Sequence, residues 1–397
     1  MKFSLFSPVT VGPADRLGTG LLGLEPQLYG AAVARLREQA VAADESGWTS
    51  LMLAEQHFEV EGFQVTPNPL LLNVHLAQYT RRLRHGQMGL VLPAWNPLRL
   101  AEDIAVADHL TGGRLDVGLT RGYRTRSTDV LGRPYGVGAA GTDDAAADRR
   151  NRDVFEEWFE IMLLAWTENL FAYDGNFLKF PPPETAWTPP TSGLLRAGVR
   201  DGVMSAVGIA PKPLQTPHPP LYTTVLDDPE TVTWAARVGS ALITTATQPH
   251  RVREVTETYT RAASAFGADA HGVALCRLLS VAPTYEQALR TAERAMPFVR
   301  DRLGALGLFE PLSPQDAASY NLHQLIASGV LLLGTPDGVG EQVAALTEAY
   351  GVGHLVLVVC ADAADQDGVL QTITQFGTRV IPRLITREGR TDAGAGE

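Results

Sequence analysis

Apolar positions along this chain recur with two periods. Short, largely apolar runs alternate with longer stretches in which every third or fourth residue is apolar. The runs at 2–6, 51–54, 87–92, 115–120, 221–225, 241–245, 273–281 and 354–359 read as strands. The last contains Leu355-Val356-Leu357-Val358-Val359, the pattern of a strand buried on both faces. Between them, Leu28, Ala32, Leu36 and Ala40 mark one face of a helix over 27–46, with Gly47 as its stop. Helices are predicted in the same way over 69–79, 98–110, 152–166, 229–238, 252–266, 285–299, 336–350 and 369–380.

Eight strands, most followed by a helix, predict a parallel sheet. One (β/α)₈ TIM barrel with insertions, spanning 1–385, suits this length better than two doubly wound domains. A Pro- and Thr-rich stretch at 181–220 and a lid-like loop at 303–330 interrupt the alternation. The polar tail 386–397 is expected to be disordered. In such a barrel the site lies at the C-terminal ends of the strands, so the residues directly after each strand carry the chemistry.

Composition narrows that chemistry. The net charge is −11 with no basic run, which disfavours nucleic-acid binding. No apolar run approaches the ~20 residues of a membrane helix, and the N-terminus is too short for a signal segment, so a cytoplasmic protein is expected. Two cysteines, Cys276 and Cys360, leave no disulfide framework or Cys-type metal site, and no His-Glu-x-x-His suggests a catalytic metal. The only lysines are Lys2, Lys179 and Lys212, so a Schiff-base lysine would have to be one of these. No Gly-x-Gly-x-x-Gly follows the first strand, so the dinucleotide fingerprint is missing.

Four strand ends carry candidates. Glu55-Gln56-His57 puts a carboxylate and an imidazole at the rim, for proton transfer or as a pair bracing the loop. Gly86 and Gly89 inside the third strand predict a bulge, a close approach of a flat ligand, or tight helix–strand packing. Thr120-Arg121-Gly122-Tyr123 ends the fourth strand; the arginine is poised for an anion or for a salt bridge to a loop, and Gly122 allows a sharp turn. Asp228-Pro229 after the fifth strand is a helix start, which competes with a phosphate pocket at the same helix N-terminus.

Taken together these segments resemble the luciferase-like flavin monooxygenases, the family of the bacterial luciferase α subunit. The likeness rests on Met1–Phe6, Ala54-Glu55-Gln56-His57-Phe58, Asn68-Pro69, Gly89-Leu90-Val91-Leu92-Pro93, Asn96-Pro97, Gly112-Gly113-Arg114-Leu115, Gly118…Arg121-Gly122-Tyr123, Pro213-Leu214-Gln215, Trp234-Ala235-Ala236 and Gly334-Thr335-Pro336, in the family's order. It implies a barrel that takes reduced FMN from a separate flavin reductase, forms a C4a-hydroperoxyflavin with O₂, and oxygenates a small hydrophobic organic substrate. The flavin does the hard chemistry while the protein orients it and excludes water. Carried over by position, the family's non-proline cis peptide under the flavin ring falls at Met88-Gly89, and Thr120 lies near flavin C4a. Arg121, Tyr123 and an Arg152 opening the fourth long helix become ring- and phosphate-side contacts. Asp228 and Thr231 take the phosphate-binding hydroxyl positions, and Glu55 and His57 match the acidic residue and second histidine.

Three departures shape the expectation. Gln56 stands where the first histidine of the motif would be and cannot transfer a proton at neutral pH, so light emission is not expected. Asp228 replaces a phosphate-binding hydroxyl, leaving Arg121, Arg152 and Thr231 to hold the phosphate. Residues 184–206 are extra and would reshape the substrate pocket. The expected activity is FMNH₂-dependent monooxygenation, Baeyer–Villiger or hydroxylating, in natural-product tailoring by a homodimer. The alternatives are deazaflavin-dependent hydride transfer and a non-catalytic flavin-binding or partner subunit.

Overall fold

The computed structural model describes residues 1–12, 16–17, 20–187, 196–267, 272–299, 321–362 and 365–385. The expectations for most of the 303–330 loop and for the 386–397 tail lie outside these residues. The chain divides into two compact units, Met1–Gly89 with Leu221–Glu397, and Leu90–Pro220.

All eight predicted strands form: β1 Lys2–Phe6, β2 Ser50–Ala54, β3 Arg84–Val91, β4 Leu115–Thr120, β5 Leu221–Val225, β6 Ala241–Thr244, β7 Val273–Val281 and, after an additional strand β8 at Leu331–Gly334, β9 His354–Val359. The strand order β1-β2-β3-β4-β5-β6-β7-β9 returns to β1, which makes the fold a (β/α)₈ barrel. The extra strand β8 pairs in parallel with the far end of β7, Leu278↔Leu331 through Val281↔Gly334. Its Leu-Leu-Leu-Gly run is fully buried and too short to show either period, so the pattern missed it.

In the first unit the barrel lining is apolar: Phe6, Met52, Met88, Tyr222, Ile243, Cys276 and Val356 belong to one buried cluster. Helix α1, Pro26–Ser46, begins with Pro at its first turn and ends on Gly47 at φ 93. It buries Ala32, Leu36, Ala40 and Ala43. The expected last helix spans Gln366–Gln375 and passes into a π turn over Phe376–Val380. There the Phe376 ring meets Phe3 edge-on at 5.3 Å and Trp48 at 5.0 Å. Gly377 lets the turn close on α1, because a Cβ at that position would lie 2.4 Å from the Ser46 hydroxyl.

At the start of β9, His354 is buried beside two serines. Its Nε2 lies 2.7 Å from the Ser4 hydroxyl, which is 2.6 Å from that of Ser50. Burial, with the nearby positive charges of Lys2 and the N-terminus, pushes the His354 pKa down from 6.5 to about 3.

In the second unit, α3 Pro97–Leu110 packs on α5 Ala145–Thr167, and the Trp166 indole donates to the Ala101 carbonyl at 3.0 Å. Helix α5 begins seven residues before the predicted start. Its first turns, Ala-Ala-Ala-Asp-Arg-Arg, hold only small and charged side chains at or near the surface, so no period of large apolar residues marks them. Asp144 caps it by accepting from Ala146 and Ala147. Arg152 therefore lies two turns inside the helix rather than at its opening, which corrects the expectation. A short helix α4, Thr125–Leu131, was not predicted.

Residues 173–180 and the described part of the 181–220 stretch are tied to this scaffold. Short antiparallel pairs form at Tyr173–Asp174 with Lys179–Phe180 and at Val199–Arg200 with Val203–Met204. The buried Glu157 carboxylate accepts the backbone N–H groups of Asn176, Phe177 and Leu178. Lys212 Nζ donates to the Ala165 and Glu168 carbonyls at the end of α5. Asp108 accepts from the backbone and side chain of Gln215 at 2.8 and 2.7 Å. Lys212 thus serves as a helix clasp.

The His354 environment has a pH consequence. The folded protein keeps this ring neutral down to about pH 3, whereas the unfolded chain protonates it near 6.5. The unfolded state binds more protons between those values, so stability falls as pH falls through that window. His354→Gln is expected to flatten the drop in urea midpoint between pH 6.5 and about 3 relative to the wild type; identical slopes would contradict it.

Candidate functional site

The loop after β2 carries the first group. Gln56 forms an isolated antiparallel bridge with Thr66 and donates its N–H to the Thr66 carbonyl at 3.0 Å. That bridge turns the chain, and Phe58 follows in a left-handed conformation at φ 61. Glu55 and His57 consequently point the same way: Glu55 Oε1 and His57 Nε2 are 2.7 Å apart. The carboxylate is fully buried and the imidazole is 19% exposed. An ionised Glu55 selects the tautomer with the proton on Nε2. His57 Nδ1 then has no hydrogen-bond partner among the described residues and is available to a reacting group.

The third strand carries the second group. The β2–β3 register runs Leu53↔Gln87 and then Ala54↔Gly89, so Met88 is a bulged residue. This settles the competing readings of the two glycines for a bulge. The cis peptides among the described residues all precede proline, at Pro181, Pro211 and Pro217. The Met88–Gly89 peptide is trans, which corrects the expected cis bond; a cis form before a non-proline residue is disfavoured by ~3–4 kcal/mol. The Met88 carbonyl accepts the Thr224 hydroxyl, and the Gly89 carbonyl accepts the Glu55 N–H at 3.3 Å.

After β5, Asp228 caps α6, Pro229–Arg237, by accepting from the Glu230 N–H at 3.3 Å and from the Thr231 hydroxyl. Both phosphate-side candidates are thus engaged with each other, and Thr231 is buried. The N-cap reading describes this site. Beside it, Asp227 and Arg251 form a 2.5 Å ion pair that sequence reasoning missed. The two residues are distant in sequence, and only the approach of β5 and β6 brings them together.

In the second unit, Gly122 makes the sharp turn at φ 77, where a Cβ would come 2.4 Å from Val91. Arg121 is buried. Its Nε donates to Asn151 at 3.0 Å and one terminal nitrogen to the Asp148 carboxylate at 2.6 Å and carbonyl at 2.8 Å. Arg152 reaches the same carboxylate at 3.9 Å. Both arginines therefore engage Asp148, a residue not singled out from sequence. Asp148, Asn151 and Arg152 share a helix face by their i, i+3, i+4 spacing, a signal hidden when the helix was started too late. Thr120 is half-buried and Tyr123 is exposed.

The described residues contain no group of three or more His, Cys, Asp or Glu side chains able to hold a metal ion, and no helix long and apolar enough to cross a membrane. The irregular backbone at Met88 lies beside the Glu55–His57 pair, and a flat ring system fits such a place. The phosphate end fits less well, because the α6 N-terminus already holds a carboxylate.

A family model described as luciferase-like monooxygenase matches residues 1–353. The oxygenase component of the flavin-dependent trigonelline monooxygenase of Acinetobacter baylyi is 26% identical over 203 residues, 51% of this chain and 45% of that protein. The chain thus spans about half of that relative's length in this match. Among solved structures, the monooxygenase RslO1 from Streptomyces bottropensis aligns with a TM-score of 0.74 at 22% identity, covering 96% of this chain and 99% of that one. The oxygenating constituent of 3,6-diketocamphane monooxygenase from Pseudomonas putida, a type II Baeyer–Villiger monooxygenase in complex with FMN, aligns with a TM-score of 0.72 at 21% identity, covering 97% and 99%. At these identities the two structures establish the shared fold.

The engagement of Arg121 is directly measurable. Arg121→Met leaves the Asp148 carboxylate with only Arg152 and the Gly141 N–H and is expected to lower unfolding stability by about 2 kcal/mol, below the full value for a buried pair because Asp148 is 26% exposed and keeps those partners. An unchanged urea midpoint would show that the arginine is spare.

Proposed function

Because the chain belongs to the luciferase-like monooxygenase family, we propose that it is the oxygenase component of a two-component system. It takes FMNH₂ from a separate flavin reductase and uses O₂ to oxygenate a small hydrophobic organic substrate, by Baeyer–Villiger reaction or hydroxylation, in natural-product tailoring. The observation that carries this reading is the Glu55–His57 pair, a buried carboxylate orienting a partly exposed imidazole at the end of a barrel strand. The name of the trigonelline relative, an oxygenase component, supports the reductase partner.

The bound flavin would supply the oxygen activation. This chain's own residues would do the rest. In the first unit, the Met88–Gly89 bulge would bed the ring, and Thr231 would turn to the phosphate at the cost of loosening Asp228 from it. In the second unit, Thr120 and Tyr123 are the ring-side candidates and Arg121 and Arg152 the anion-side candidates, at the cost of loosening Asp148 from them. His57, held by Glu55, would take or give the proton at Nδ1 that Gln56 cannot exchange.

Anaerobic titration with FMNH₂ tests the premise: saturable binding at micromolar concentrations is expected, followed by substrate-dependent incorporation of oxygen from labelled O₂. Absence of binding at tens of micromolar, or a product free of O₂-derived oxygen, would overturn the reading, the second in favour of hydride transfer. His57→Asn should lower turnover by about 10²-fold while leaving flavin affinity intact. At the phosphate end, Asp228→Ser keeps a capping oxygen and removes a negative charge. It is expected to tighten FMN binding several-fold with riboflavin binding unchanged.

A further inference from the structure

The bulge in β3 poses a hydrogen-bonding problem. With Leu53 opposite Gln87 and Ala54 opposite Gly89, Met88 has no register partner on β2. Met88 is buried, and a buried carbonyl displaced from the β2 ladder is costly unless a donor other than β2 reaches it. That donor is the Thr224 hydroxyl, from β5, a strand that is not a ladder neighbour of β3. The adjoining Gly89 carbonyl takes the Glu55 N–H, and the Glu55 carboxylate takes His57. One run of hydrogen bonds thus links Thr224 to the bulged peptide and the bulged peptide to the Glu55–His57 pair.

We infer that Thr224 is a positioning residue for the flavin site: its hydroxyl fixes the orientation of the Met88–Gly89 peptide on which the ring would rest. The inference depends on the flavin reading above. A peptide plane held at one carbonyl can still rotate about its flanking dihedrals. Holding Met88 O from β5 and Gly89 O from the β2 loop leaves two successive carbonyls pinned from different elements. Thr224 is half-buried and Met88 is buried. Neither residue type nor spacing reveals this in the sequence, since a threonine inside a strand is ordinary.

The test compares Thr224→Val, which keeps the β-branched shape and removes the hydroxyl, with Thr224→Ser, which keeps the hydroxyl. Both are titrated with oxidised FMN while absorbance and fluorescence of the bound flavin are recorded. The valine variant is expected to bind about tenfold more weakly, with an altered bound-flavin spectrum and a melting temperature lowered by a few degrees while the chain stays folded. The serine variant is expected to restore affinity and spectrum. A valine variant with wild-type affinity and spectrum overturns the positioning role and leaves the flavin reading standing. A wild-type protein that binds no flavin, oxidised or reduced, overturns both. Should the valine variant not fold, Thr224→Ala against Thr224→Ser carries the same comparison, and equal flavin binding by those two overturns the inference.

Discussion

A closed parallel barrel has no free strand edge, so its backbone groups are committed all round the ring. Wherever the ladder slips, something other than a neighbouring strand must complete the hydrogen bonding. In this protein the slip is at Met88. There the Thr224 hydroxyl reaches the Met88 carbonyl from β5, and the next carbonyl, of Gly89, takes the N–H of Glu55, whose carboxylate holds His57. The irregular residue and the Gln56–Thr66 bridge together place the candidates at this end of the sheet.

The charged candidates obey a different rule. In a chain of net charge −11, each arginine near a strand end has carboxylates to choose from. Arg121 and Arg152 meet at Asp148, Arg251 meets Asp227, and the positive end of α6 is met by Asp228. These contacts stabilise the loops and set a threshold for any anionic ligand, which has to compete with an internal carboxylate at each position. Binding of a phosphate-bearing cofactor would thus be coupled to rearrangement of these loops.

Much of the fold was legible because it rests on local periodicity. Each of the eight barrel strands was a short apolar run, and α1 was marked by Leu36, Ala40 and the Gly47 stop. Misses came where that signal fades. The first turns of α5 hold only small and charged residues, β8 is four apolar residues with no period, and α4 is a short, mostly polar helix. The Glu55–His57 pair was readable from its two-residue spacing after a strand, and the bulge from glycines within one. The trans geometry at Met88–Gly89 departed from what family likeness implied, since peptide geometry is decided by packing around the bond.

The sequence by itself determined the parallel barrel, the strand ends that carry polar residues and the family, since all three follow from the order of residues along the chain. Only the tertiary structure decided which partners those residues have. Thr224 with Met88, Arg121 with Asp148 and Arg251 with Asp227 are separated by many residues and share no periodic signal. Their meeting depends on strand order and loop path, and hydrogen bonds and ion pairs act over a few ångströms. Contact in space, which no local pattern encodes, therefore set the state of every candidate residue.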